Sequence, residues 1–178
     1  MIKEILLWGK AYDVNKTLEI ELSNISGIIP KEIGLLENLR YLNLSRNNLD
    51  GEIPIELFNL KEVNTINLSY NNLSGPIPDY FENFKKIISL NLQSNNITGP
   101  IPKSIGNLSM LSYLNLSKNN ITGSLPIEII KLKKIWYLNL CNNLLSGEIS
   151  ADMIGYFSKK NLPLQNLLNG NKFQISLA

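Results

Sequence analysis

The amino-acid sequence repeats itself with a fixed period of 24 residues, and this period restricts the possible folds more than any other feature. Apolar residues open five successive units at Leu39, Val63, Ile87, Leu111 and Ile135, with no insertion between them. A fixed period of about 20 to 50 residues is typical of stacked repeat architectures. Because one such unit cannot bury its own apolar side chains, neighbouring units are expected to stack and share a continuous core.

Each unit contains a short stretch in which apolar residues alternate with other residues. The two inward columns are Leu42, Ile66, Leu90, Leu114 and Leu138, and Leu44, Leu68, Leu92, Leu116 and Leu140. This alternation predicts a short strand with one buried face. The residues between the two columns must then point out of the opposite face, and all five are asparagines: Asn43, Asn67, Asn91, Asn115 and Asn139.

A second asparagine column stands where the chain must leave the strand and turn. It consists of Asn47, Asn71, Asn95, Asn119 and Asn143. A primary amide both donates and accepts hydrogen bonds, so it can satisfy backbone groups that no sheet ladder reaches. We predict that this column forms a continuous buried ladder with a structural role.

The remainder of each unit contains a glycine, then in most units a proline, and then apolar residues at helical spacing. The glycine column, which includes Gly51 and Gly75, predicts a corner, and prolines such as Pro54 predict extended backbone outside a regular inner strand. Apolar pairs such as Leu57 and Leu60 have the spacing of a helical turn.

The segment from Leu39 to Pro54 resembles the leucine-rich repeat pattern L-x-x-L-x-L-x-x-N-x-L, and its added G-x-I-P and 24-residue length resemble the plant-type subclass. Proteins similar to this subclass are the ectodomains of receptor-like kinases and receptor-like proteins, and polygalacturonase-inhibiting proteins. The resemblance implies an α/β repeat solenoid, a right-handed superhelix with a parallel β-sheet on the concave face. Short helical or 3-10 segments are expected on the convex side.

Both ends of the chain depart from the regular pattern. We expect an N-terminal cap or truncated flank at residues 1–14, where Ile2, Ile5 and Leu6 have helical spacing. Leucine-rich repeats follow at residues 15–158, with one irregular unit at 15–38 and five regular units from residue 39. A degenerate terminal repeat or C-terminal cap is expected at residues 159–178, since terminal units of a solenoid shield the end of the core.

Two details of the irregular units remain open in the sequence. The first unit either keeps the 24-residue register with Leu18 and Ile20, or places Ile20 and Leu22 on its strand with two residues deleted before Ile25. In the last unit, Leu162 and Leu164 continue the strand columns, but Leu167 stands where an asparagine is expected.

The composition disfavours an enzyme. The chain contains no histidine, which is the side chain most often used for general acid–base catalysis, and its lone cysteine, Cys141, has no partner for an internal disulfide. No catalytic, cofactor-binding or metal-binding residues are therefore predicted. The formal net charge of +2 indicates neither nucleic acid nor membrane as a partner, and we expect a monomer.

The sequence as it stands contains neither a signal-peptide pattern nor an apolar stretch of the roughly 20 residues that a membrane helix needs. It therefore predicts a cytoplasmic chain. The alternative is an extracellular or cell-surface location, if the chain is a fragment of a receptor-like protein.

The resemblance implies that a protein or peptide ligand lies across the concave sheet. Aromatic and cationic residues at positions exposed there are the candidate partner-binding residues: Tyr41, Arg46, Tyr70, Tyr113, Lys118, Trp136 and Tyr137. Tyr113, Trp136 and Tyr137 are expected to cluster and to anchor the ligand, because aromatic residues dominate interface energetics. The alternative is that strand positions simply favour tyrosine.

Other functions remain open. The uniform row of strand asparagines suggests a structural or surface protein that binds carbohydrate or ice, although duplication of a repeat also produces uniform rows. Inhibition of a secreted hydrolase follows from the family resemblance alone. Lysines that include Lys85, Lys86, Lys133 and Lys134 predict a solvated edge, with a docking patch for an acidic partner as the alternative.

Overall fold

Short strands and single helical turns recur along the chain in the computed structural model, which describes residues 2–175. The strands are β1 Glu4–Leu7, β2 Lys10–Asp13, β3 Glu19–Glu21, β4 Ser26–Ile28, β5 Tyr41–Asn43, β6 Asn48–Asp50, β7 Thr65–Asn67, β8 Ser89–Asn91, β9 Tyr113–Asn115, β10 Tyr137–Asn139, β11 Ser146–Ile149 and β12 Lys172–Ile175. The α-helices are α1 Ala151–Lys159 and α2 Gln165–Leu168. The 3-10 segments are Lys31–Leu35, Ile55–Asn59, Phe81–Asn83, Lys103–Asn107 and Ile127–Lys131.

One six-stranded parallel sheet carries the repeat. Its order is β3, β5, β7, β8, β9 and β10, and each regular strand pairs with the strand 24 residues further on. This register places Leu42 beside Ile66 and Asn43 beside Asn67, so every sequence column becomes a row across the sheet. The parallel sheet and the short 3-10 segments confirm the predicted leucine-rich repeat solenoid, in which α-helices are few.

The core is continuous from the first strands to the last helix. Leu42, Leu44 and Leu49 are completely buried and Ile53 is 4% exposed, and their counterparts in the other units are buried in the same way. Because each leucine packs on the leucine of the next unit, the apolar area that one unit leaves uncovered is buried by its neighbour.

The second asparagine column forms hydrogen bonds that join consecutive units. The Asn119 amide nitrogen donates to the carbonyl oxygens of Leu92 at 2.9 Å and Leu116 at 3.1 Å, and its carbonyl oxygen accepts from the Ile97 amide at 3.1 Å. The same pattern recurs at Asn47, Asn71, Asn95 and Asn143. Each asparagine thus satisfies buried backbone groups of its own unit and of the preceding one.

Close packing between units also explains the glycine within two of the 3-10 segments. A Cβ atom on Gly106 would lie 2.7 Å from the carbonyl oxygen of Glu128 in the next unit, which is closer than atoms can approach. Gly34 stands in the same relation to Glu56. Most of these segments begin directly after a proline with extended backbone, such as Pro54, whose fixed φ suits the entry to a helical turn.

The N-terminal segment is a β-hairpin, so the helix suggested by the spacing of Ile2, Ile5 and Leu6 was wrong. Strands β1 and β2 are antiparallel, with Ile5 opposite Tyr12. Ile5 and Leu7 are buried whereas Leu6 is exposed, which is the two-residue period of a strand. The buried face of the hairpin packs on the first unit of the solenoid and covers the end of its core.

The irregular first unit resolves the open register. Ile20 pairs with Leu42, and the Leu22 amide donates to the Asn43 carbonyl oxygen at 3.1 Å, so Ile20 and Leu22 take the strand positions. The two-residue deletion falls after Ile28, not before Ile25, because β4 still pairs with β6 at an offset of 22 residues.

The C-terminal segment caps the other end of the sheet without adding a strand to it. Leu162 and Leu164 do not continue the strand columns; instead α2 lies beside β10, and the Leu140 amide donates to the carbonyl oxygen of Asn166 at 2.7 Å. Asn171 then extends the asparagine ladder, because it donates to the Leu140 carbonyl oxygen at 2.8 Å and accepts from the Leu145 amide. Residues 176–178 of the expected cap lie outside the described residues.

No helix within residues 2–175 has the length and apolar character to cross a membrane.

We expect the substitution Asn119→Ala to destabilise the chain, because it leaves the Ile97 amide buried without a partner and removes one of the two side-chain hydrogen bonds that the Leu92 and Leu116 carbonyl oxygens each accept. The unpaired amide costs about 1–3 kcal/mol and each lost hydrogen bond about 0.5–1.5 kcal/mol, so the free energy of unfolding should fall by at least about 2 kcal/mol. Asn120→Ala is the matched control: the adjacent Asn120 is exposed, and its replacement should change the free energy by less than about 0.5 kcal/mol. Chemical denaturation followed by circular dichroism measures both, and equal effects would contradict the ladder.

Stability should fall between about pH 10 and pH 12 because of Tyr156 on α1, whose hydroxyl donates to the Leu132 carbonyl oxygen at 2.7 Å. Burial raises the pKa of Tyr156 from 10.0 to about 12. The folded chain therefore retains a proton that the unfolded chain releases near pH 10, and stability present below that pH is lost as the pH rises through 12. In Tyr156→Phe the decline over this interval should be smaller than in the wild type; an unchanged pH profile of denaturation midpoints would exclude Tyr156 as its source.

Candidate functional site

The outward side of the six-stranded sheet, which we call the open sheet face, consists of parallel rows of side chains. The first row contains Tyr41, Thr65, Ser89, Tyr113 and Tyr137, and the second contains the strand asparagines. A third row contains Ser45, Ser69, Gln93, Ser117 and Cys141, and a fourth contains Arg46, Tyr70, Ser94, Lys118 and Asn142. All leucines of these strands point inward, so the face is built from polar and aromatic groups.

Three of the candidate residues form one aromatic cluster at the C-terminal end of this face. The rings of Tyr113 and Tyr137 are parallel to within 4° with their centroids 4.4 Å apart. Trp136 meets both rings edge-on at 6.0 Å and is 65% exposed. Stacked and edge-to-face arrangements of this kind hold aromatic rings in place, so the cluster offers a rigid apolar surface to solvent.

A second group of candidate residues lies in the fourth row. The Arg46 guanidinium stands 4.8 Å from the centroid of the Tyr70 ring, a cation–π contact. Lys118 is exposed in the same row, two units after Tyr70. The residues of this row have positive φ, between 55° and 58°, which places them at the tight turn that follows the strands.

Tyr41 is not part of either group. It lies in the first row on β5, whereas the aromatic cluster lies on β9 and β10, with β7 and β8 between them. The seven candidate residues therefore occupy three places on the face.

Partial burial raises the pKa of the Tyr113 hydroxyl above 10, a hydrogen bond with Asn115 lowers this pKa in part, and the hydroxyls of Tyr137 and Tyr70 raise it again. Tyr113 therefore stays protonated at neutral pH and can donate a hydrogen bond.

The row of strand asparagines is engaged in hydrogen bonds within the chain. The Asn43 carbonyl oxygen accepts from the hydroxyl of Ser45 at 2.7 Å, and Asn67 and Asn115 bind Ser69 and Ser117 in the same way. The Asn115 amide nitrogen donates to the side-chain oxygen of Gln93 in the preceding unit at 3.0 Å. These contacts fix the asparagine side chains and leave fewer of their polar groups open to a flat carbohydrate or ice lattice.

Sequence reasoning missed the two acidic residues at the N-terminal end of the open sheet face. Glu19 and Glu21 lie on the edge strand β3, both exposed, and Glu21 accepts a hydrogen bond from Asn43 at 2.8 Å. The uncertain register of the first unit concealed them, although the alternative with Ile20 and Leu22 on the strand already placed both glutamates outward.

Within residues 2–175, no group of three or more histidine, cysteine, aspartate or glutamate side chains is arranged to hold a metal ion. Cys141 is half-buried in the third row as a free thiol.

Family models and solved structures agree on the relationship of this chain. Two leucine-rich repeat models match it, one at residues 88–145 and the other at residues 38–60 and 62–84, together more than half of the sequence. A comparison with curated protein sequences found no match.

Solved ectodomains of plant receptor kinases are similar in sequence and in fold. The leucine-rich repeat ectodomain of the Arabidopsis receptor kinase HAESA, solved with the peptide hormone IDA, is 34% identical with a TM-score of 0.78, over 90% of this chain and 26% of that one. Pollen Receptor Kinase 3 is 31% identical with a TM-score of 0.74, over 96% of this chain and 76% of that one. A chain of the BIR3–SERK2 complex from Arabidopsis thaliana is 30% identical with a TM-score of 0.65, over 76% and 68%.

The chain thus spans about a quarter of the HAESA ectodomain but about three quarters of the Pollen Receptor Kinase 3 structure. The fixed 24-residue length of the unit, the parallel sheet and the matches to family models lead to the same assignment. The chain belongs to the leucine-rich repeat family, in the plant-type subclass represented by these receptor-kinase ectodomains.

Proposed function

We propose that this chain is a receptor-like recognition module that binds an extended peptide across its open sheet face. The observation that carries the proposal is the stacked pair Tyr113 and Tyr137 with the exposed Trp136 beside it. Solved relatives support the class of ligand, since HAESA was crystallised with a peptide hormone. Recognition of this kind requires no catalytic residue, and the proposal assigns none.

The dimensions of the face suit a short peptide. Neighbouring strands are about 4.8 Å apart, so the six strands span about 24 Å, the length of about seven extended residues. A peptide that crosses the strands meets one side chain of each row per unit. Such a peptide would therefore contact the residues of one row in turn. In the first row these are Tyr41, Thr65, Ser89, Tyr113 and Tyr137.

The aromatic cluster supplies the apolar anchor. Trp136 leaves most of its indole in water, and an apolar or aromatic ligand side chain that covers it would remove that surface from solvent. Because Tyr113 and Tyr137 are already stacked, little side-chain entropy is lost when a ligand packs on them. Tryptophan and tyrosine are the residue types most enriched among the dominant contacts of interfaces.

Arg46 and Lys118 supply positive charge at the turn edge of the face. A guanidinium presents a planar set of donors that matches a carboxylate, and the ring of Tyr70 holds that of Arg46 in position. Glu19 and Glu21 give the N-terminal end of the face the opposite sign. We therefore expect the peptide to place an apolar residue over the cluster and a carboxylate towards Arg46 or Lys118.

Inhibition of a secreted hydrolase stays a prediction from the family resemblance, and among residues 2–175 no contact favours it over peptide binding.

The repeat itself provides substitutions that the fold accepts, because the same position carries a smaller residue in another unit. Tyr113→Ser follows Ser89, Tyr137→Thr follows Thr65, and Trp136→Ser follows Ser112. Peptides would be selected on the wild-type chain from a display library of random 12-residue sequences, and their affinities measured by isothermal titration calorimetry. The triple substitution should weaken binding by about 30-fold or more, which is the effect of losing about 2 kcal/mol.

The control is Ile127→Lys, which alters an exposed residue of a 3-10 segment and follows Lys103 at the equivalent position. It should leave the affinity within about twofold. Failure to select any peptide, or selected peptides that bind the triple variant as tightly as the wild type, would refute the proposal.

A further inference from the structure

A second surface lies beside the open sheet face, where each unit returns from its 3-10 segment to its strand. We call this surface the flank and define it by the row Arg40, Asn64, Ile88, Ser112 and Trp136 together with the lysines and glutamates that precede it. We propose that a groove on the flank binds an acidic peptide segment of a protein partner, with one bulky apolar side chain of that segment seated in the groove. This binding does not depend on the open sheet face.

The groove is open to solvent and crosses three consecutive units. It has a volume of about 480 Å³ and is lined by Arg40, Glu62, Asn64, Lys85, Lys86, Ile88 and Met110. This volume lies within the range of about 300–1,000 Å³ that is typical of ligand sites. None of the tyrosines of the open sheet face lines it.

The apolar residues of the groove are not required by the fold. Ile88 is 43% exposed, and the equivalent positions carry Asn64 and Ser112 in the neighbouring units. Met110 is 37% exposed, and its equivalents include Glu62 and Lys86. Since the same backbone accepts polar residues at both positions, the exposed apolar side chains in this unit point to contact with a partner.

Positively charged side chains surround Ile88 and Met110, the apolar residues of the groove. The acidic residues of the flank are already paired: Glu37 with Lys61 at 3.0 Å, and Glu62 with Lys86. Within residues 2–175, Arg40, Lys85 and Lys134 form no ion pair, and the Lys134 ammonium lies 3.1 Å from the Met110 sulfur. Cations therefore stand on both sides of Ile88 and Met110, and the complementary ligand has carboxylates on both sides of an apolar residue.

The apolar residues Ile88 and Met110 favour an acidic peptide over other polyanions as the ligand of the groove. A nucleic acid or a sulfated polysaccharide would satisfy the lysines but would leave Ile88 and Met110 in contact with charged groups and would approach the carboxylate of Glu62. A peptide with leucine, isoleucine, methionine or phenylalanine between aspartates or glutamates satisfies both features.

The test uses the triple variant Tyr113→Ser/Trp136→Ser/Tyr137→Thr as bait, so that binding at the open sheet face cannot be mistaken for binding at the flank; Trp136 does not line the groove. A display library with eight random positions should yield sequences enriched in an apolar residue flanked by aspartate or glutamate. Affinity for a selected, terminally blocked peptide should fall at least about tenfold with Ile88→Ser/Met110→Asn, which follow Ser112 and Asn38, and also with Lys85→Glu, which follows Glu37.

The matched control for charge is Lys103→Asp, which follows Asp79 and makes the same change of two charges on a 3-10 segment. It should alter affinity by less than about threefold, the scale of non-specific electrostatics. The proposal is overturned by a library without acidic enrichment, by Lys85→Glu and Lys103→Asp having equal effects, or by a single-stranded oligonucleotide that competes as well as the peptide. A library that yields binders on the wild type but none on the bait would support the open sheet face alone and contradict the flank.

Discussion

The asparagine ladder is the constraint on which the rest of the structure depends. A 24-residue unit with a three-residue strand leaves many backbone groups buried outside any sheet, and one amide side chain per unit satisfies them while tying that unit to the one before. Because Asn119 bonds to Leu92 and Ile97 as well as to its own unit, a unit cannot shift without breaking these bonds. Register across the sheet follows, and with it the rows of the open sheet face.

The sequence was sufficient to predict the strands and their register in the units that keep the 24-residue period. It was insufficient at the two ends of the chain, where the period is lost. The strand columns from Leu42 to Leu140 and the pairing of Tyr113 with Tyr137 could be read from spacing alone, since a fixed period gives a fixed register. The N-terminal hairpin that contains Ile5 and Leu7 could not be predicted from spacing, because a strand of only four residues fits helical and strand periods equally well. Asn171 was missed because α2 displaces it by four residues from the position that the period predicts.

In the candidate site, too, some features could be predicted from the sequence and others could not. Row membership of Arg46, Tyr70 and Lys118 followed from the period, but the contact of Arg46 with the Tyr70 ring depends on side-chain conformations that spacing does not specify. On the flank, the informative positions are those that depart from the repeat pattern. Once equivalent positions are compared, Ile88 and Met110 stand out because their counterparts are polar, so departures from the pattern carry information about partners while agreement carries information about the fold.

The fourth row of the open sheet face connects the ladder to recognition. Its residues have positive φ, a conformation that asparagine and glycine adopt most readily, yet only Asn142 among the five regular units is one of these. Arg46, Tyr70 and Lys118 adopt it because backbone hydrogen bonds on both sides fix the turn: the Tyr70 amide donates to Gln93 at 2.8 Å, and Asn71 follows in the ladder. The ladder thus offsets the local cost of placing large side chains there. The turn places Arg46, Tyr70 and Lys118 at the edge of the open sheet face, where a ligand that crosses the strands must pass.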